Sequence, residues 1–454
     1  MSAAASVAQF SRTESELVAA QYRAWVYPQP VEDMAQAVAK GEYWDLSDPS
    51  LFRRKLWPRR IEPDDLTILI AGCGTNQAAC YAVTNPNCKV VGIDLSEASL
   101  GHEAYLKHKH GLENLELFRM SLGDVGSLGR TFDLVLCTGV LHHLPDPDAG
   151  LRCLRDVLRP HGVISVMVYG YYPRFGVYMM QEVFRVLDLK QDEVGIEIVK
   201  RGIKDVPAWH HVRRYFAIAP DLGYDSGLVD TFLHQLDRPF TVPQVLEFAG
   251  RNDLKFQSWL NNLDYSISAS IMDPQNPLRQ RVETLAPAEQ WRLVELIAQS
   301  LATHRFLLCH PDKAEADYRL DFDTDAWLDY VPSLRYPARI TNTAGPERTP
   351  GDEDDSTGSP WRSVVRRLRA LPRAWRGSAE PAPAEEAGPS TISRGWHSSE
   401  LTAFEGSLIK QVDGTRPIRQ LIRTAAQSNG QSLPEARDFF RRMADWDHLQ
   451  FQIP

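Results

Sequence analysis

Short apolar runs without polar alternation set the rhythm of the first half of the chain. They lie at Leu66–Ala71, Lys89–Leu95, Leu115–Met120, Thr131–Cys137 and Gly162–Val168, with helical patterning between them at about 77–84, 96–110 and 146–159. Unalternated runs are what strands covered on both faces look like. Strands alternating with helices at this spacing predict an α/β fold built on a doubly wound, mostly parallel sheet, here over residues 67–170.

The flanks are patterned differently. Residues 1–66 form an N-terminal helical and aromatic arm. A helix is expected around 14–25, where Thr13 and Glu16 have capping-box spacing. The Pro- and aromatic-rich stretch Val26–Pro30, with Tyr43, Trp44 and Trp57 beyond it, reads equally as a lid or as a packing arm. Residues 171–340 are a mainly helical cap and the remainder of the domain, with helices expected at about 175–188 and 277–302. The motif-like piece Phe232–Phe248 lies between them and contains a capped helix start at Thr241. Residues 341–398 read as a flexible linker, with the acidic cluster Asp352–Asp355 and a basic segment, Trp361–Arg376. That segment is a solvated linker helix or a membrane-surface or nucleic-acid element; Pro372 interrupts its helix. Residues 399–454 carry a capping box at Thr402 and Glu405, three helical stripes and a closing strand around Trp446, Leu449 and Phe451. Three helices and a strand suggest a small winged-helix-like unit that binds a partner.

Composition narrows the classes. A chain of 454 residues with 43% apolar and 24% charged residues has ample length for a large core in two or three domains. The net charge of −9 excludes a general polyanion binder. Residues 391–454 hold eight Lys and Arg against seven Asp and Glu, so nucleic acid is not the expected partner there either. The six cysteines contain no C-x-x-C pair, and no apolar stretch is long enough to span a bilayer. A cytoplasmic protein with reduced thiols is expected.

The chemistry concentrates behind the first strand, in Ile68-Leu-Ile-Ala-Gly72-Cys-Gly74-Thr-Asn-Gln77. Gly72 permits a tight turn and Gly74 a close backbone approach to a ligand, ahead of a helix N-terminus. Asp94 ends the second strand, 20 residues past Gly74, the spacing of a carboxylate that accepts from a ribose diol. Its alternative role is a cap on the following helix. The third glycine of a dinucleotide fingerprint is absent, since Gln77 stands there. This favours a nucleoside cofactor without phosphate over a nicotinamide dinucleotide.

The chain resembles class I, S-adenosylmethionine-dependent methyltransferases of bacterial type, in a branch without assigned substrates. The resemblance rests on Ala71–Thr75, Gly92–Ser96, Phe132–Val135, Gly139–Leu144 and Leu158–Gly162, in the family's order over about 67–170. It implies a seven-stranded Rossmann-like sheet and S-adenosyl-L-methionine as cofactor. By resemblance, Ala71, Gly72, Cys73 and Gly74 line the methionine and ribose portion. Asp94 holds the ribose hydroxyls and Leu95 packs on adenine. Ser121 and Leu122 meet the adenine amino group, and Cys137 and Thr138 border the methionine end. The chain departs from the family pattern at Ile70, where an acid is usual, at Asn76, where a third glycine is usual, and at Ser121, where Asp is common; Asp124 is an alternative acid.

Methyl transfer needs mainly alignment, and a general base where the nucleophile arrives protonated. His142 is the expected catalytic residue because an imidazole titrates near working pH. His143, Tyr171, Tyr172 and Arg174 are candidate substrate contacts at the pocket mouth. No metal site is expected. The function implied is methyl transfer to a small-molecule or peptide-like substrate; the alternative is a non-catalytic cofactor-binding regulatory or scaffold protein.

Overall fold

The computed structural model describes residues 21, 24–43, 45–59, 65–216, 218–342, 390–394, 397–429 and 433–454. The Thr13–Glu16 box with most of its helix, Trp44, the cluster Asp352–Asp355 and the segment Trp361–Arg376 lie outside the described residues. The chain divides into two compact units. One takes Met1–Met34 and Pro63–Lys313, the other Ala35–Glu62 and Ala314–Pro454.

The first unit holds a seven-stranded sheet of β1 Thr67–Ala71, β2 Lys89–Asp94, β3 Leu115–Arg119, β4 Phe132–Thr138, β5 Leu158–Tyr169, β6 Lys255–Trp259 and β7 Thr303–Cys309. Their order is β3-β2-β1-β4-β5-β7-β6. Strands β1 to β5 pair in parallel, with Ile68 beside Val90 and Leu69 beside Val135. Strand β7 alone runs antiparallel, with Leu308 beside Ile164 on β5 and Phe256 on β6. This is the Rossmann-like methyltransferase sheet.

The unalternated runs have the cause expected of them. Phe132 through Cys137 on β4 are all buried, because helices cover both faces. Leu69, Val91, Val135, Ile164 and Phe306 of the sheet pack with Leu151 and Leu154 of the helix Pro147–Asp156 and Val245 and Phe248 of the helix Val242–Arg251. Each such side chain contributes about 1.5–3 kcal/mol on burial. The Thr241 start is capped as expected, its N–H donating to Gln244 Oε1 at 2.8 Å. The helix expected over 277–302 is two, Pro277–Glu283 and Pro287–Ala298. Pro287 opens the second, and Gln299 ends it with φ 47°. The chain then re-enters the sheet as β7.

The second unit pairs β8 Val331–Leu334 antiparallel with β12 Leu449–Gln452. Strands β9 Arg339–Asn342, β10 Ser390–Arg394 and β11 His397–Leu401 make a separate antiparallel sheet. Its helices include Pro49–Leu56, Ala403–Lys410, Ile418–Asn429 and Leu433–Asp445. The three helices and the strand expected beyond 399 are present, and both bonds of the Thr402–Glu405 box form. The compact units cut across the segment boundaries drawn from sequence. Residues 314–342 belong with the C-terminal helices through the β8–β12 ladder, and residues 35–59 through the bridge between Arg59 and Ile453. The described ends of the linker, 341–342 and 390–398, are largely strand. All six cysteines are free thiols, five of them buried. Among the described residues, no helix is long and apolar enough to cross a membrane.

Candidate active site

The strand order reverses between β1 and β4, which opens a crevice at their carboxyl ends. The turn after β1 occupies one side of it. Gly72 has φ +79° and Gly74 φ +57°, conformations that favour glycine. A Cβ on Gly72 would stand 2.3 Å from Val140 Cγ2. The N–H groups of Gly72 and Cys73 both donate to Ile93 O, which ties the turn to β2. Asp94 then accepts from Gly74 N at 2.9 Å and Ser96 N at 2.8 Å. Burial pushes its carboxyl up, against the pull of these N–H groups. Ser96, not Asp94, caps the next helix, accepting from Ser99 N. A carboxylate has about four acceptor positions, so Asp94 keeps acceptor capacity beyond these backbone donors.

The helix N-terminus beyond the turn is not open. Glu103, on the helix Glu97–His110, is buried and accepts from Ala78 N at 2.9 Å and Ala79 N at 2.8 Å. These are the donors that a pyrophosphate uses in a dinucleotide fold. With a side-chain carboxyl already there, the turn suits an adenosyl group without phosphate. Glu103 carries no signal in the sequence, because only the fold brings it to the turn.

A strap from the N-terminal arm lies on the turn. Thr75 Oγ1 donates to Pro28 O at 2.9 Å, Asn76 Nδ2 donates to Gln29 O at 2.8 Å, and Val31 N donates to Asn76 Oδ1 at 2.8 Å. Of the expected cofactor residues, Gly72, Gly74, Asp94, Leu95, Ser121 and Thr138 keep some exposure at the edge. Ala71, Cys73, Leu122 and Cys137 are buried. Ser121 accepts from Gly123 N, and Asp124 is exposed. Ile70 is fully buried. Gln77 donates to Thr138 Oγ1 at 3.2 Å and so links the turn to the end of β4.

A buried polar cluster lies beyond the carboxyl ends of β4 and β5. His142 is 0% exposed, its ring 4.1 Å from that of His143 and 4.2 Å from that of Tyr169. Neither of its ring nitrogens has a hydrogen-bond partner among the described residues. Burial, with His143, Arg174 and His234 alongside, holds its pKa well below the usual value. Full burial thus disfavours the charged imidazole, whereas the sequence led us to expect a ring titrating near working pH. His143 pairs through Nδ1 with Leu236 O at 2.6 Å and stacks on His234 at 3.8 Å. Tyr169 donates to Asp230 at 3.1 Å.

Arg174 is a correction. Expected at the pocket mouth, it is fully buried, with its guanidinium 3.6 Å from the Tyr169 ring centroid and 3.1 Å from Asp237 Oδ2. It also donates to Tyr178 and Tyr215. A fixed cation inside the fold needs such a partner set. Tyr171 is exposed and Tyr172 partly so, at the rim. Sequence reasoning did not name Tyr169, Asp230, His234 or Asp237. His234 and Asp237 lie in the piece Phe232–Phe248, whose unusual pattern was the available signal.

The glycine turn, Asp94 one strand over and the buried polar cluster all lie at the carboxyl edge of the parallel strands. Residues 69–164 match the family model described as "Methyltransferase domain". An uncharacterized Synechococcus protein is 28% identical over 303 residues, 65% of this chain and 71% of that one. Trans-aconitate 2-methyltransferase of Deinococcus radiodurans is 38% identical over 98 residues, 21% of this chain and 35% of that enzyme. Among solved structures, PKMT2 from Rickettsia typhi in complex with AdoHcy has a TM-score of 0.57 at 16% identity, covering 90% of this chain and 75% of that one. Residues 69–164 are a methyltransferase domain of the class I, S-adenosylmethionine-dependent type, with S-adenosylmethionine as its cofactor.

Proposed function

We propose that the chain transfers a methyl group to a small-molecule or peptide-like substrate by in-line displacement at the carboxyl edge of β1, β2, β4 and β5. One juxtaposition carries this reading: the Gly72–Gly74 turn and Asp94 share a sheet edge with the buried His142–Tyr169 pair. Asp94 would hold the ribose hydroxyls and Leu95 one adenine face, with Ser121 and Leu122 beside the base. The backbone at Ala71, Cys73, Cys137 and Thr138 would border the methionine portion. The bound sulfonium supplies an electrophilic methyl group. The protein's work is then to orient a nucleophile and to exclude water.

The strap Tyr27–Val31 supports water exclusion above the turn. His142, buried and without a hydrogen-bond partner among the described residues, is suited to accept a hydrogen bond from the nucleophile and so to orient it. Holding two reactants aligned in such a site is worth up to about 7–11 kcal/mol of barrier. Six free thiols fit a reducing, cytoplasmic setting. The C-terminal helices would recruit a protein partner or present the substrate.

Titration calorimetry with S-adenosylmethionine, followed by transfer of a labelled methyl group to components of a cell extract, tests the reading. Binding with transfer is expected. No binding at millimolar cofactor, or binding without transfer to any component, would sink it.

A further inference from the structure

The strap fills the space that Gly74 leaves open. A Cβ on Gly74 would stand 3.0 Å from Pro28 Cδ and 3.6 Å from Tyr27 O. Thr75 and Asn76 hold the backbone of residues 28–31 against the turn. The helix after β2 grips it further along, with His102 Nε2 3.0 Å from Val31 O and Lys109 Nζ donating to Glu32 O at 2.7 Å. The backbone of Tyr27 therefore belongs with the cofactor turn.

Its side chain belongs with the cap. The hydroxyl donates to Asp221 Oδ2 at 3.1 Å, across 194 positions of sequence. Burial, with Asp230 and Asp221 nearby, pushes the Tyr27 pKa up, so the phenol keeps its proton and stays a donor. Asp221 stands in the short turn Pro220–Gly223, which sits directly on the helix Asp225–Phe232. A Cβ on Gly227 of that helix would meet Asp221 O at 1.9 Å. Three residues further on, Asp230 accepts from Tyr169, the last residue of β5. Tyr169 in turn lies against His142, and Tyr171 follows at the rim. Trp25 anchors the start of the strap elsewhere, packing on the cluster of Val177, Phe184 and Phe232 and donating to Gln191 O at 3.1 Å.

We propose that Tyr27 is a positioning residue for methyl transfer, its hydroxyl fixing the Asp221–Asp230 edge of the cap relative to the cofactor turn. This deepens the reading of the edge as a methyl-transfer site and rests on it. In-line transfer needs the acceptor held against the methyl group, and a displacement of about 1 Å costs about a hundredfold in rate. One side chain joins the two halves that must be aligned. Because Thr75 and Asn76 hold the strap by its backbone, loss of the hydroxyl leaves the cofactor turn as it is and releases the cap side alone.

The test compares Tyr27→Phe, Asp221→Ala, Asp221→Asn and the Tyr27→Phe/Asp221→Ala double variant of the full-length protein in two measurements. Calorimetry with S-adenosylmethionine reads the cofactor half. Transfer of a tritiated methyl group from saturating S-adenosylmethionine to components of a cell extract reads the reaction. Tyr27→Phe and Asp221→Ala should each bind the cofactor within about twofold of the parent protein and transfer at least about tenfold more slowly. The double variant should be no slower than the slower single one, because both changes remove the same bond. Asp221→Asn keeps an oxygen that accepts from Tyr27, so it should recover most of the rate. Equal losses of affinity and rate would make Tyr27 a cofactor contact and overturn the positioning role. So would a parent-like rate in Tyr27→Phe, losses that multiply in the double variant, or a rate in Asp221→Asn as low as in Asp221→Ala. In each of these the parent protein still transfers methyl groups, and the methyl-transfer reading stands. A parent protein that labels nothing in the extract overturns that reading, and the role of Tyr27 with it.

Discussion

The side chain of Asn76 closes a two-bonded clamp on the backbone around Val31. Its Oδ1 accepts the Val31 N–H at 2.8 Å, and its Nδ2 donates to Gln29 O at 2.8 Å. Asn76 is 1% exposed, so both bonds are shielded from water at its end. Asn76→Gly should therefore release the strap from the turn and cost about 1–3 kcal/mol. Hydrogen exchange at Val31 checks this, and exchange as slow as in the parent protein would show that the strap is held elsewhere.

That clamp also shows where sequence reading stops. Asn76 was visible as a departure from a family glycine, but its partners Gln29 and Val31 are more than forty positions away. The five parallel strands were legible because burial on both faces leaves an unbroken apolar run. Strands β6 and β7 were not, since Lys255-Phe-Gln-Ser-Trp259 and Thr303-His-Arg-Phe mix polar residues into an antiparallel edge. The Gly72–Gly74 turn and Asp94 were legible because backbone conformation and a fixed 20-residue offset are written locally. The polar cluster was only half legible. His142 and His143 stand in a motif, whereas Asp237 and Arg174 reach them through the fold.

Gly72 should tolerate no side chain. Its φ of +79° costs an L residue about 1–3 kcal/mol, and a Cβ would collide with Val140 Cγ2 at 2.3 Å. Gly72→Ala is expected to lose about 2–4 kcal/mol of stability. Adding Val140→Ala removes the collision but not the backbone strain, so recovery should be partial. Urea denaturation of both variants measures it. Full recovery in the double variant would mean that the left-handed conformation costs nothing.

Asp94 should separate cofactor binding from folding. Asp94→Ala removes an acceptor from the ribose and from two backbone N–H groups, those of Gly74 and Ser96. Calorimetry is expected to show a loss of about 1.5–3 kcal/mol in S-adenosylmethionine affinity, since charge-assisted bonds disappear. Asp94→Asn keeps an oxygen for one N–H, so it should restore most of the stability but less of the affinity. Affinity equal to that of the parent protein in Asp94→Ala would remove the ribose assignment.

In the second unit, one carboxylate stands between two cations. Asp447 Oδ1 lies 3.1 Å from Lys55 Nζ and 2.6 Å from Arg335 Nη1, with side-chain exposures of 4%, 10% and 0%. Burial lowers the Lys55 pKa to about 8, with Asp447 opposing the shift and Arg335 adding to it. An unfolded lysine titrates near 10.4, so between about pH 8 and 10.4 the unfolded chain holds a proton that the folded chain has released. The Lys55 contribution to stability therefore rises as pH climbs through that window, by about 1.4 kcal/mol per unit and about 3 kcal/mol at most. Lys55→Met should lack this rise. At pH 7 it should be close to neutral or slightly stabilising, because Arg335 still pairs with Asp447. Asp447→Asn is the opposite case. Asparagine accepts the local φ of +53°, so the backbone is not at issue, yet two buried cations lose their carboxylate and about 3–5 kcal/mol should be lost. Hydrogen-exchange protection of the β12 amides, followed from pH 7 to 10, reports on this unit directly. Parallel curves for Lys55→Met and the parent protein would show that Lys55 keeps its proton throughout.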